Sequence, residues 1–253
     1  MNTNGTVLII GGSSGIGLAV ARRCLADGAR VVIAGRSEDR LGAARAELAR
    51  AERTAERTAE STVAGRLTAF SADIGNLGQV EALFERVGTL SHLVVTAADL
   101  PYGPAVTLTE DSMMRAVRSK VLGPFFAAQQ AAARITAPGS ITFTSGVAAY
   151  RPAPGGALAA TVNGALESMV RALALELAPI RVNAVSPGWV DTPAWEHLAT
   201  PEARQVRMAD LAARLPARRI GRPDDIANAV SFLISDDFVT GTVLHAEGAQ
   251  LIV

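Results

Sequence analysis

The sequence predicts an α/β fold, a doubly wound parallel sheet with helices on both faces, and three observations predict it. Short apolar runs alternate with longer stretches of helical periodicity, the pattern of repeated strand–helix–strand units. The first run, Val7-Leu8-Ile9-Ile10, leads straight into the glycine-rich stretch GGSSGIG at 11–17. No linker or shift of composition divides the 253 residues, a length that suits one large domain spanning 1–253.

About seven strands are expected, at 6–10, 30–34, 66–71, 92–96, 140–144, 180–185 and 242–246. Each is a short apolar run of the kind a strand covered on both faces requires. Gly15 to Ala26 forms the first helix, opening on the glycine stretch. The repeat AERTAERTAE at 51–60 predicts a solvated extension of the second helix. Its i,i+3 Arg–Glu pairs each contribute only ~0.2–0.5 kcal/mol. One long middle helix is expected over 110–136, another over 156–178, and the last over 223–235. Right-handed crossovers then place ligands at the carboxyl ends of the strands.

Composition narrows the function. Hydrophobic residues make up 49% and aromatics 4%, so the core is built from Ala, Val, Leu and Ile. A formal net charge of +0 argues against nucleic acid or an anionic membrane as partner. No apolar stretch reaches the ~20 residues that span a bilayer. No leader-like segment opens the sequence, so a cytoplasmic protein is expected. Cys24, the single cysteine, cannot form an internal disulfide and reads as a buried small hydrophobe. No metal-ligand spacing occurs.

The glycine stretch reads as a phosphate cradle. Gly11 permits the tight turn, and Gly15 and Gly17 let backbone and helix approach a pyrophosphate. Ser13 and Ser14 add hydroxyl donors. The second strand ends Ala34-Gly35-Arg36-Ser37, without the carboxylate that would bind a ribose 2′-hydroxyl. Arg36 and Ser37 suit a 2′-phosphate instead, which predicts NADP(H) over NAD.

The pattern Gly11-x-x-x-Gly15-x-Gly17, Asp73-Ile74, the segment RVNAVSPGWVDTP at 181–193 and the stretch 218–248 together resemble the short-chain dehydrogenase/reductase family along nearly the whole chain. The resemblance implies a Rossmann-like fold with Ile16 and Ala97 among the cofactor contacts. It implies that Asp73 and Ile74 lie at the adenine, that Pro187, Gly188 and Val190 line the nicotinamide, and that Thr192 bonds its carboxamide or phosphate. It also implies a substrate lid at about 193–215 and a homotetramer or homodimer packed through the 110–136 and 156–178 helices.

The family's catalytic set is Ser, Tyr, Lys and an assisting Asn. By alignment those places hold Gly146, Ala159, Asn163 and Lys120. Ser145 stands beside Gly146, and the family's Asn-Asn-Ala-Gly becomes Val95-Thr96-Ala97-Ala98, followed by Asp99. Lys120 is the only lysine; it is expected as a cation over a substrate oxygen or as an acid. Asp99 is expected to steady a cationic substrate or to pair with Lys120, and Asn163 to hold a ribose hydroxyl. Tyr102, Tyr150 and His197 are lesser candidates. The pieces at 96–99, 144–146, 181–188 and 241–244 also resemble a branch containing fungal enzymes that reduce an iminium and assist a cycloaddition. An iminium accepts hydride without a proton.

The reading is therefore an NADP(H)-dependent oxidoreductase with a non-standard site, acting on an imine, iminium or activated carbonyl. A non-redox cyclase or isomerase in the same crevice, and a catalytically inactive cofactor-binding protein, stay open beside it.

Overall fold

The computed structural model describes residues 5–55, 65–193 and 200–253. Seven parallel strands form one sheet: β1 (Thr6–Ile10), β2 (Arg30–Gly35), β3 (Leu67–Ser71), β4 (Leu90–Val95), β5 (Ile135–Thr144), β6 (Arg181–Pro187) and β7 (Val243–Ala246). Their order is β3-β2-β1-β4-β5-β6-β7, so the winding reverses between β1 and β4.

Alternation along the strands assigns the two faces, because successive side chains point to opposite sides. Leu8, Ile10, Leu93, Val95, Ile141 and Phe143 face α3 (Leu77–Val87), α5 (Gly123–Ala132) and α6 (Ala157–Glu176). Val7, Ile9, Val31, Ile33 and Val94 face α1 (Gly15–Ala26), α2 (Glu38–Ala55) and α8 (Pro223–Ser235). Leu8 and Ile9 are fully buried, worth about 1.5–3 kcal/mol each in area removed from water. The exposed pairs joining helices, such as Arg22–Asp224 at 3.3 Å, add at most about 1 kcal/mol each. Hydrophobic burial therefore sets the arrangement, and the ion pairs decorate it.

The glycine stretch, α1 and α8 fall where the sequence puts them. The long middle helix does not. It is α4 (Glu110–Val117), a π-helical turn over Arg118–Leu122, then α5, and the chain has entered β5 by Ile135. Ala127, Ala128 and Ala131 of α5 are fully buried against the sheet, so these alanines serve sheet packing rather than contact between subunits. Helix α7 (Pro201–Arg214) occupies most of the expected lid. The latter half of the 51–60 repeat and His197 lie outside the described residues. Cys24 is buried as expected, and burial pushes its thiol up to about 12. No helix among the described residues is long and apolar enough to cross a membrane.

Candidate active site

The winding reversal opens a crevice at the carboxyl ends of β1 and β4, the place where open α/β sheets bind ligands. Gly11 leaves β1 at φ +100°, and its N–H donates to the Ala34 carbonyl at 2.8 Å. A Cβ there would lie 2.5 Å from the Ala97 nitrogen, and one at Gly17 would run into the Gly11 carbonyl. Only glycines allow this loop to fold so tightly against β4. Thr96 closes the joint, its hydroxyl donating to the Gly11 carbonyl at 3.2 Å. Helix α1 starts with Ser14 at its N-cap, without a side-chain cap bond and without an acidic residue in its first turn. That start suits an anion: the helix dipole and the first-turn N–H groups both favour negative charge. The residues present thus fit a pyrophosphate.

Of the other expected cofactor residues, Ser13 and Thr192 sit against nearby glycines. Ser13 Oγ sits 3.1 Å from the place a Cβ on Gly35 would take, at the tip of β2. Thr192 is buried against Gly15, with its Cγ2 3.3 Å from the corresponding position there. Pro187 ends β6, the Gly188 N–H donates to the Ala246 carbonyl at 3.2 Å, and buried Val190 bridges to Gly221. Asp73 Oδ1 accepts from the Gly75 N–H at 2.9 Å, shaping the turn after β3. Ile74 is a core residue, and its carbonyl packs against Gly123. Ser37 Oγ accepts from the Arg40 N–H at 3.3 Å. Ile16 is half-buried on α1. Helix α7 is tied to the loop after β6, because Arg204 pairs with Asp191 and donates to the Thr192 carbonyl at 3.3 Å.

At the chemical end, Lys120 comes from the π-helical turn, a distortion that recurs at functional sites. Its side chain is buried, and its Nζ donates to the Thr144 carbonyl at the end of β5. Burial lowers its pKa to about 8. Asn163, on α6, is buried as well; its Nδ2 donates to the Gly146 carbonyl at 3.5 Å while its Oδ1 has no partner. Lys120 and Asn163 thus converge on one strand end, 144–146. A Cβ on Gly146 would lie 2.9 Å from Asn163 Nδ2, so the glycine makes room for the asparagine.

Two expected residues point elsewhere. Asp99 does not pair with Lys120; its carboxylate meets Arg36 at 3.1 Å and Arg115 at 3.8 Å. Its backbone is anchored by buried Ser119, whose Oγ accepts from the Asp99 N–H at 2.9 Å. The Ser145 hydroxyl donates to buried Glu167 at 2.6 Å, which turns it into the α6 packing. Tyr150 bonds the same carboxylate, which raises its pKa, and stacks edge-on against His245 at 4.9 Å. Tyr102 is exposed, and His92 sits inside the sheet, its Nδ1 2.9 Å from Ser140 Oγ. Arg115, Ser119, Thr144 and Glu167 have no local signal in the sequence, because each matters through a partner distant in the chain.

A parallel sheet that reverses at a glycine cradle, with an uncapped helix start behind it, defines a dinucleotide-binding α/β fold. Similarity to known proteins gives its family. A family model described as Enoyl-(Acyl carrier protein) reductase matches residues 11–248. A short-chain dehydrogenase/reductase of Stachybotrys chlorohalonatus is 34% identical over 261 residues, covering 98% of this chain and 97% of that protein. The structure of the MalC Reductase/Diels-Alderase from Malbranchea aurantiaca superposes with a TM-score of 0.87 at 30% identity, covering 98% and 96% of the two chains. A small-chain dehydrogenase in complex with NADPH superposes with a TM-score of 0.79 at 29% identity, covering 98% and 99%. The chain belongs to the short-chain dehydrogenase/reductase family.

Proposed function

We propose that the protein is an NADP(H)-dependent oxidoreductase that handles an imine, iminium or activated carbonyl without the Ser-Tyr-Lys set of its family. One contrast carries the reading. The glycine cradle is intact, while the strand end beside it is served by Lys120 and Asn163 in place of a tyrosine–lysine pair. The resemblance would put Asn at 120 and Lys at 163; here the two residue types have exchanged places. One structural neighbour is a complex with NADPH and another is a Reductase/Diels-Alderase, and both support the same class.

The residues divide the work. Gly11, Gly15, Gly17 and the start of α1 hold the pyrophosphate, and Arg36 holds the 2′-phosphate. The unpartnered Asn163 Oδ1 accepts from a ribose hydroxyl, which satisfies an otherwise orphaned buried acceptor. When bound, the nicotinamide supplies the hydride. Lys120 keeps a proton near neutral pH and can give it to an oxygen that gains negative charge. An iminium substrate needs no such donor. Asp99, held by two arginines, belongs to the cofactor end rather than to the reacting atoms. Helix α7 covers the substrate.

Calorimetry with NADPH and NADH on the wild type and Arg36→Ala tests the cofactor half. NADPH binding that Arg36→Ala weakens supports the reading; binding of neither nucleotide refutes it. NADPH oxidation with cyclic iminium salts then tests the chemistry. Product without cofactor turnover would favour a cyclase, a reading that the likeness to the Reductase/Diels-Alderase of Malbranchea aurantiaca also supports. Cofactor binding without turnover would favour an inactive binding protein. We also propose that the chain acts in the cytoplasm as a homotetramer or homodimer. Met113, Met114, Leu122 and Phe125 leave apolar surface exposed around the π-helical turn, where subunits would pack. A monomer at micromolar concentration by light scattering would reject the assembly.

A further inference from the structure

The Arg36–Asp99 ion pair lies in an unusual place. Arg36 follows β2 and Asp99 follows β4, and β1 lies between those strands in the sheet. The pair therefore spans the carboxyl end of β1, over the mouth of the crevice where the glycine cradle opens. A nucleotide running from the cradle toward the tip of β2 must meet it.

The two partners differ in freedom. The Asp99 backbone is pinned to Ser119, itself buried in the π-helical turn. Arg36 is a long side chain, about half exposed at 52%. A doubly charged phosphate is a stronger partner for a guanidinium than one carboxylate, so it can draw Arg36 away. Asp99 would stay behind, with Arg115 at 3.8 Å as its remaining counter-ion.

We propose that Asp99 is a specificity-determining residue for the nucleotide: it holds Arg36 across the crevice and weakens the grip on a ribose 2′-phosphate, and Arg115 takes over the carboxylate when Arg36 leaves. This rests on the NADP(H) reading above. Carboxylate and 2′-phosphate compete for one guanidinium, so the preference for NADPH over NADH is set by the Arg36–Asp99–Arg115 set rather than by Arg36 alone. An exposed pair of this kind shifts an equilibrium by roughly twofold to fivefold, which sets the size of the effect.

The test is calorimetry with NADPH and NADH at one ionic strength on the wild type, Asp99→Asn, Arg36→Ala, the double variant and Arg115→Ala. Asp99→Asn is expected to bind NADPH about fivefold tighter and to leave NADH within about twofold. In the Arg36→Ala background the same change should lose most of that gain. Arg115→Ala, which leaves Asp99 with Arg36 alone, should weaken NADPH by about twofold. Circular dichroism confirms that each variant is folded. If Asp99→Asn leaves NADPH unchanged or weaker while Arg36→Ala still weakens it, this proposal fails and the cofactor reading survives. If Asp99→Asn costs NADH affinity, Asp99 is itself a ribose ligand and the proposal fails. If no nucleotide binds the wild type, the cofactor reading fails and takes this one with it.

Discussion

Replacing Lys120 by Met should stabilise the folded protein at pH 7. The amine is buried, and among the described residues it has no ion-pair partner, only the Thr144 carbonyl. Burial brings its pKa from 10.5 to about 8. At about 1.36 kcal/mol per pKa unit, keeping that charge inside costs about 3 kcal/mol wherever folded and unfolded forms are both protonated, below pH 8. Met has a similar length and no charge to desolvate. It leaves the Thr144 carbonyl without its donor, which returns about 1–3 kcal/mol of the gain. The net expectation at pH 7 is therefore about 1 kcal/mol of added stability, roughly 2–4 °C in Tm for a chain of this size. The pH dependence is the sharper readout. Between about 8 and 10.5 the unfolded lysine still carries its proton and the folded one has lost it. Wild-type stability should therefore rise with pH across that window relative to Lys120→Met, by about 3 kcal/mol in all. Urea unfolding of both proteins at pH 7 and pH 10 measures it. A variant more than about 2 kcal/mol less stable than wild type at pH 7, with a difference that does not change with pH, would refute the reasoning.

Three further outcomes follow from the same structure. Burial, with Arg181 nearby, lowers the His92 pKa from 6.5 to about 4, so between those values only the unfolded chain takes up the proton. Stability should fall by about 3 kcal/mol as pH drops through that window, and urea unfolding of His92→Gln should show that slope removed. Gly146→Ala should cost about 1–3 kcal/mol by pushing on Asn163 Nδ2, and Asn163→Ala should relieve most of it in a double-mutant cycle. Cys24 should resist iodoacetamide at pH 8 in the native protein and react once it is unfolded, as mass spectrometry can count.

The fold is legible in the sequence where local chemistry decides it. The Val7–Ile10 run, the glycine stretch and the first helix need only neighbouring residues, and α8 announces itself with Pro223 and two acids at its start. The middle helix departs from its sequence pattern because a π-helical turn adds a residue to the ladder without changing composition. Its far end departs because β-branched Ile135 favours a strand and pairs with Leu90 of β4. In the site, the residue types are legible and their partners are not. Arg36 gives no sign that its counter-ion is 63 residues away, and the hydroxyl of Ser145 is claimed by Glu167, 22 residues on. Lys120 bonds a backbone carbonyl, a partner that no side-chain pattern can reveal.

The π-helical turn at Arg118–Leu122 also makes the site sensitive to chain length in an unexpected direction. Deleting a single residue there would leave a continuous, regular helix, easier to form than the one it replaces. Successive residues of such a helix are turned by about 100°, so the deletion would swing the segment after it by that angle. Lys120 would leave the strand end of β5 or Gly123 its close seat beneath Ile74, and both cannot be kept. A relative with one residue fewer in this turn would therefore have the same fold and a differently furnished crevice, a change of chemistry reached by a gap rather than by a substitution.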